Sequence, residues 1–239
     1  VIRVVPETGS TNADLAAELA HGERVPEGDW LVADRQLAGY GRQGRAWLDG
    51  AGNFMGSTVV HLRPGDPAAH GLSLVAGVAL HAALAEFAAG TADVRLKWPN
   101  DATVGAAKLA GILLERQGDA VVVGVGVNLL NAPEVPGRTT IALAGLGQMV
   151  SRDAFAAALA DRFAQSVATW REFGLAAMIP RWLARAHPKG TLLQVGEPGE
   201  APLEGRFGGL DDEGALILLL TDGTTRMIHA GEVRLAAPS

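Results

Sequence analysis

No cysteine occurs in the 239-residue chain, which excludes a disulfide framework, a thiolate metal site and a cysteine nucleophile together. Lysine is scarce as well. Lys97, Lys108 and Lys189 are the three in the chain, so arginine carries most of the positive charge. Basic residues number 20 against 26 acidic ones, a formal charge of −6, far from the basic background usual for a nucleic-acid binder. No run approaches the ~18–20 apolar residues of a membrane-spanning helix. Val1-Ile2-Arg3-Val4-Val5-Pro6 is too short and too soon broken for a signal peptide. The expectation is a cytoplasmic protein with neither DNA nor a membrane as partner.

What is present is ordinary for a folded protein: 48% hydrophobic and 19% charged residues, in a length that suits one large domain or a large and a small one. Val1–Val5 reads as a strand. Ser10-Thr11-Asn12 supplies helix N-cap chemistry ahead of Ala13–Ala20, and Gly22 follows as a stop. Trp30–Asp34 and Thr58–Leu62 read as strands, while Arg35–Ser57 between them is rich in Gly and Arg and has no helical period. Leu72–Phe87 spaces its apolar residues as a helix buried on one face, and Asp153–Phe173 as a second one ended by Gly174. Val94–Trp98, Ile112–Arg116 and Val121–Leu129 read as strands of one sheet. A shorter helix interrupted by Pro180 leads to His187-Pro188.

After Pro188 the texture changes. Thr191–Val195, Leu203–Phe207, Ala215–Leu220, Thr224–Ile228 and Glu232–Leu235 are short strands punctuated by turns at Gly196–Gly199, Asp211–Gly214 and Asp222-Gly223. They predict a small barrel over residues 189–239, behind a larger domain of residues 1–188.

Four segments are candidates for chemistry. Gly39-Tyr40-Gly41-Arg42-Gln43-Gly44 matches the dinucleotide fingerprint in letters, but no helix opens at its third glycine, so that reading fails. The segment reads either as a surface loop or as a ligand loop, in which glycines bring backbone N–H groups close and Arg42 and Arg45 supply cationic forks for a phosphate or carboxylate. Lys97-Trp98-Pro99-Asn100-Asp101 is an ordinary turn or a holder of phosphates and their Mg²⁺. Lys108 ahead of Leu109-Ala110-Gly111-Ile112 is an edge charge or a ligand contact. Gly124-Val125-Gly126-Val127-Asn128 carries two strand glycines, a sign of close approach by a neighbouring element or a ligand.

Read singly, each segment keeps both alternatives; taken together, their order carries a resemblance. Ser10-Thr11-Asn12, the Gln36–Trp47 loop, Lys97–Asp101, Lys108–Glu115 and Gly124–Asn128 follow one another as they do in the biotin protein ligases, which the chain resembles over essentially its whole length. The resemblance implies an α/β (α+β) fold, a mixed sheet with covering helices of the class II synthetase-like kind, and a small C-terminal SH3-like β-barrel. It implies an ATP-dependent ligase that makes biotinyl-5′-AMP, releases pyrophosphate, and passes biotin to a lysine of a biotin carboxyl carrier domain.

By the family's pattern, Ser10, Thr11, Asn12 and Gln36 would hold the biotin ring, with Gly111 letting it lie against a strand. Gly39, Tyr40, Gly41 and Arg42 would hold the carboxylate and then the adenylate. Arg45, Trp47, Lys97, Asn100, Asp101 and Asn128 would face ATP, with Asp101 toward Mg²⁺. Lys108 would bridge the biotin carboxylate and the α-phosphate. Tyr40 and Gln43 depart from the family, standing where arginine is common. The same resemblance keeps in view a lipoate or octanoate ligase and a non-enzymatic biotin-binding regulator. It also predicts a monofunctional enzyme, because the chain starts at the strand before Ser10 with no helix-turn-helix ahead of it. Finally, Arg42 and Arg45 have no acidic partner nearby in sequence, so the loop is expected to be mobile until a ligand orders it.

Overall fold

A computed structural model describes residues 1–48, 50–88, 90, 92–196 and 201–236. The predicted turn at Gly196–Gly199 falls mostly outside them. Seven strands form the larger sheet: β1 (Ile2–Thr8), β2 (Trp30–Gln36), β3 (Phe54–His61), β4 (Val94–Lys97), β5 (Asp101–Val104), β6 (Ala107–Gln117) and β7 (Ala120–Val127). Their order is β1-β2-β3-β7-β6-β5-β4, with β1 and β2 parallel across α1 (Thr11–Ala20) and the other neighbours antiparallel. The sheet is therefore mixed, as the resemblance implies.

The strand period assigns the two faces. On β7, Val121, Val123, Val125 and Val127 join the main core under α2 (Leu72–Ala88) and α3 (Arg152–Leu183). Val122 and Ala120 face the other way and pack with Leu15 of α1, Leu31 and Val59. The same outward row continues into Gly124 and Gly126, where the missing side chains leave room.

Helix α2 is buried at 11 of its 17 positions, more than a single face supplies, because it lies between the sheet and α3. Residues 69–88 are long and apolar enough to cross a membrane, contrary to the reading of the sequence. The segment is the core helix here, with 67% of its apolar window buried in the protein.

Ser10 caps α1 through its hydroxyl, which accepts from Ala13 N at 3.5 Å, and Gly22 follows at φ 75°. Gly174 breaks α3 as expected, with φ 72° and ψ −174° inside the helix. Several strands differ from the expectation, among them β6, which begins at Ala107 rather than Ile112. β3 begins at Phe54 rather than Thr58, since both of its faces are buried and no alternation marks its start. β5 starts at Asp101, and Trp98-Pro99-Asn100, which includes a cis Trp98–Pro99 bond, forms the tight turn between β4 and β5.

Beyond α3, strands β8 (Leu192–Gly196), β9 (Leu203–Leu210), β10 (Leu216–Leu219), β11 (Thr225–Ile228) and β12 (Glu232–Leu235) make an antiparallel sheet ordered β11-β10-β9-β8-β12. Asp222-Gly223 makes the β10–β11 hairpin, pairing Leu219 with Thr225. No β11–β12 pairing closes the sheet among the described residues. Phe207, Leu216, Leu218 and Val233 are buried in the same core as Leu96 and Trp182, so the small sheet is packed onto the large one. That packing carries the β11–β12 turn to the open end of the larger sheet's α1 face.

Candidate active site

One cleft collects the residues that the motifs single out. Ser10, Thr11, Asn12, Gln36, Tyr40, Gly41, Arg42, Arg45, Trp47, Lys97, Asn100, Asp101, Lys108 and Gly111 all line it. Its floor is the α1 face of β3, β6 and β7. A Cβ at Gly124 would stand 2.2 Å from Asn12 Oδ1, and one at Gly126 would stand 2.4 Å from the Trp47 indole. Both strand glycines thus answer to close approach, by a helix side chain in one case and a loop aromatic in the other.

One end of the cleft is neutral and polar. The Thr11 hydroxyl donates to Gln36 Oε1 at 2.9 Å and meets Ser57 Oγ at 2.7 Å, and Ser57 Oγ bonds Asn12 Oδ1 at 2.6 Å. Asn12 Nδ2 donates to Glu115 at 2.7 Å. Burial makes each of these bonds costly to leave unmade, so the side chains are held in one arrangement. Ser57 and Glu115 are members that the sequence did not single out as site residues.

The other end is cationic. Asp101 sits between two ammonium groups, with Lys108 Nζ at 2.6 Å and Lys97 Nζ at 3.0 Å. Burial pushes its carboxyl upward, but Lys108 and then Lys97 outweigh that and hold it at about 2. Lys108 is displaced downward, chiefly by burial, with Asp101 opposing and Arg138 and Lys97 adding to the fall. The Lys108 ammonium also lies 5.5 Å from the centre of the Trp47 ring.

Arg45 does have an acidic partner, and it comes from the C-terminal sheet rather than from nearby sequence. Arg45 Nη2 bonds Glu232 Oε2 at 2.7 Å, and Arg138 Nη2 bonds Glu232 Oε1 at 2.9 Å. Arg42 donates to Asn100 Oδ1 at 3.3 Å and to Gly231 O at 3.4 Å, while Lys97 Nζ donates to Val233 O at 3.0 Å. Arg138 and the Gly231-Glu232-Val233 turn also line the cleft. No local pattern marks them, because chain segments about ninety or more residues apart supply each pair.

Three of the expected residues are placed differently from the rest. Asn128 does not line the cleft. It is 2% exposed, and its Nδ2 donates to Ile141 O at 3.1 Å and Lys108 O at 3.4 Å, so it braces the strand that bears Lys108. Gly39 stands behind the cleft wall, where its carbonyl accepts Trp47 N at 2.8 Å and a Cβ would meet Gln36 Nε2 at 2.7 Å. Asp101 does not fit as a metal ligand, since both of its oxygens are ion-paired to lysines. Among the described residues no group of three or more metal-binding side chains occurs.

This geometry joins a neutral hydrogen-bonding pocket to a cationic basin, with Lys108 and Gly111 where they meet. Residues 4–128 match the Biotin/lipoate A/B protein ligase family, and residues 195–235 match the Biotin protein ligase C terminal domain. The chain belongs to the biotin protein ligase family. A biotin–[acetyl-CoA-carboxylase] ligase of Paracoccus denitrificans is 40% identical across 96% of this chain and 98% of its own length. The bifunctional ligase/repressor of Escherichia coli is 34% identical, covering 98% of this chain and 74% of that protein. The biotin protein ligase of Aquifex aeolicus in complex with biotin and ATP superposes with a TM-score of 0.83 at 26% identity, covering 99% of both chains.

The close fit at Gly124 gives a test of the polar pocket. In a Gly124→Ala ligase the new methyl drives against Asn12, and overpacking of this kind costs roughly 1–3 kcal/mol. At about 2–4 °C per kcal/mol for a chain of this size, Tm should fall by several degrees. Calorimetry and biotin titration together check this; an unchanged Tm with unchanged biotin affinity would show that Asn12 moves aside freely.

Proposed function

We propose that this chain joins biotin and ATP to give biotinyl-5′-AMP and pyrophosphate, and then transfers biotin to one lysine of a biotin carboxyl carrier domain. The observation that carries the proposal is the two-part cleft: a fixed, uncharged hydrogen-bonding pocket opening onto a basin lined by Lys97, Lys108, Arg42, Arg45 and Arg138.

A ureido ring needs neutral donors and acceptors, which Ser10, Thr11, Asn12 and Gln36 supply. The biotin carboxylate is already ionised at pH 7, so the first step needs no base. One of its oxygens attacks the α-phosphorus, the bond to the bridging oxygen of the β-phosphate breaks, and pyrophosphate leaves. The obstacle is repulsion between two anions brought to about 3–3.5 Å, and fixed positive charge removes it. Lys108, at the junction, faces both anions, while Arg42, Arg45 and Lys97 hold the phosphates. Mg²⁺ belongs with ATP as part of the substrate rather than with Asp101. In the second step the acceptor amine attacks the acyl carbon, the bond to the phosphate oxygen breaks, and AMP departs while the amine loses a proton.

The test is to incubate the chain with ATP, Mg²⁺, biotin and a candidate carrier domain, then weigh the carrier by mass spectrometry. The expected result is a gain of one biotinyl group. A carrier modified by lipoate or octanoate but not by biotin would assign the other branch of the family. Biotin binding without exchange of pyrophosphate into ATP would mark a regulator instead.

A further inference from the structure

Tyr40 is the single tyrosine of the chain, and it stands in the glycine- and arginine-rich loop at the mouth of the cleft. Its hydroxyl lies 3.0 Å from both carboxylate oxygens of Glu115. Glu115 belongs to β6 and is not itself part of the cleft lining. The same carboxylate accepts Asn12 Nδ2 at 2.7 Å, and Asn12 is fixed in turn by Ser57 and by the space over Gly124. One hydrogen-bonded chain therefore runs from the loop, through a carboxylate behind the wall, to the side chains of the neutral pocket. The phenol is displaced upward by burial and by Glu115, which fits a neutral hydroxyl that keeps its proton and donates it.

The rest of the loop is tied elsewhere. Gly41 N bonds Arg45 O at 2.8 Å and closes the loop on itself, while Arg42 and Arg45 reach the Gly231-Glu232 turn on the nucleotide side. The loop is thus clasped at two ends. The arginines hold its nucleotide end and Tyr40 its other end, and the Tyr40 contact needs no substrate in the cleft.

We infer that Tyr40 is a positioning residue whose phenol, bound to Glu115, keeps the Gly39–Arg45 loop closed over the neutral half of the cleft before any substrate arrives. A hydrogen bond to a carboxylate is among the stronger ones that a side chain makes. Its loss opens the biotin side of the loop and leaves the nucleotide side to Arg42 and Arg45. The consequence for substrates rests on the proposed ligase reaction; the consequence for the loop does not.

The experiment compares the wild-type chain with Tyr40→Phe, Glu115→Ala and the double variant. Without ligand, amide hydrogen exchange across residues 39–45 should quicken in Tyr40→Phe, while α2 keeps its protection. In biotin-dependent pyrophosphate exchange, the KM for biotin should rise on the order of tenfold, a difference of about 1.4 kcal/mol. The KM for ATP should move by less than about twofold, and bound biotinyl-AMP should dissociate faster by a factor similar to the biotin change. Because the two groups act through one bond, adding Tyr40→Phe to Glu115→Ala should change little further. Equal loop exchange in wild type and Tyr40→Phe overturns the inference, as do equal rises in both KM values or strictly additive effects. A chain that makes no biotinyl-AMP overturns the ligase reading, and the ligand-free exchange comparison still decides the tether.

Discussion

Replacing Lys108 by alanine is expected to slow biotinyl-AMP formation by roughly 30-fold to several thousand-fold. Truncating one partner of a buried charge contact costs on the order of 2–5 kcal/mol, and each 1.36 kcal/mol is tenfold in rate. The fold should survive, because Asp101 keeps Lys97 at 3.0 Å as its counterion. ATP affinity should fall less than the rate, since Lys97, Arg42 and Arg45 still face the phosphates. Arginine at this position should rescue poorly, for a reason visible in the cleft. Lys108 Nζ lies 2.9 Å from where a Gly111 Cβ would be, beside Asp101 and 5.5 Å from the Trp47 ring centre, and a planar guanidinium needs more room than that. Single-turnover measurement of biotinyl-AMP gives the answer. A near-normal rate in Lys108→Ala, with ATP bound, would reduce this lysine to a counterion of Asp101.

The parts of the fold legible in the sequence are those whose signal is local. Ser10 announces the start of α1 because an N-cap hydroxyl acts within three residues, and Gly174 announces the break in α3 because φ 72° suits glycine. Asp222-Gly223 announces its hairpin for the same kind of reason. The start of β3 carries no such signal, since a strand buried on both faces has no alternation to read. β5 is four residues long and opens on Asp101 directly after Asn100, letters that describe a turn as well as they describe the strand start that follows one.

The site divides along the same line. Residues in ordered motifs, from Ser10 to Gly111, were legible because a known family spaces them that way; composition alone would have stopped at an anion-binding loop. Glu232 and Arg138 were not legible, because their meaning is a pairing across the two sheets. Asn128 shows the converse. A polar residue in a motif looks like a ligand contact, yet its amide is spent on the carbonyls of Lys108 and Ile141, a backbone role that only the register of β7 against the following segment reveals. Asn128 thus ties the strand that carries Lys108 to the segment after β7.

Asp101→Asn is expected to destabilise the protein by roughly 3–5 kcal/mol, the usual cost of leaving a buried charge without its partner. Both ammonium groups lose their counterion at once, and their side chains are only 19% and 16% exposed. At about 2–4 °C per kcal/mol, Tm should drop by roughly 6–20 °C. The wild-type carboxyl lies at about 2 against an ordinary 3.8, so the folded state binds its proton more weakly than the unfolded chain does. Its contribution to stability is accordingly complete above about pH 4 and is lost as pH falls through about 2, a difference of about 2 kcal/mol. That acid-dependent part should be missing from the variant's unfolding free energy. Lys108 should respond as well. Burial, Arg138 and Lys97 push its ammonium toward deprotonation, and Asp101 is the group opposing them, so the asparagine variant should lose adenylation activity at a lower pH than wild type as pH rises. Denaturant unfolding at a series of acidic pH values and a pH–rate profile of single-turnover adenylation measure the two effects. Coincident acid-dependences for wild type and Asp101→Asn would mean that the Asp101 carboxyl binds its proton as readily in the folded protein as in the unfolded chain, and that the two lysines do not hold it down.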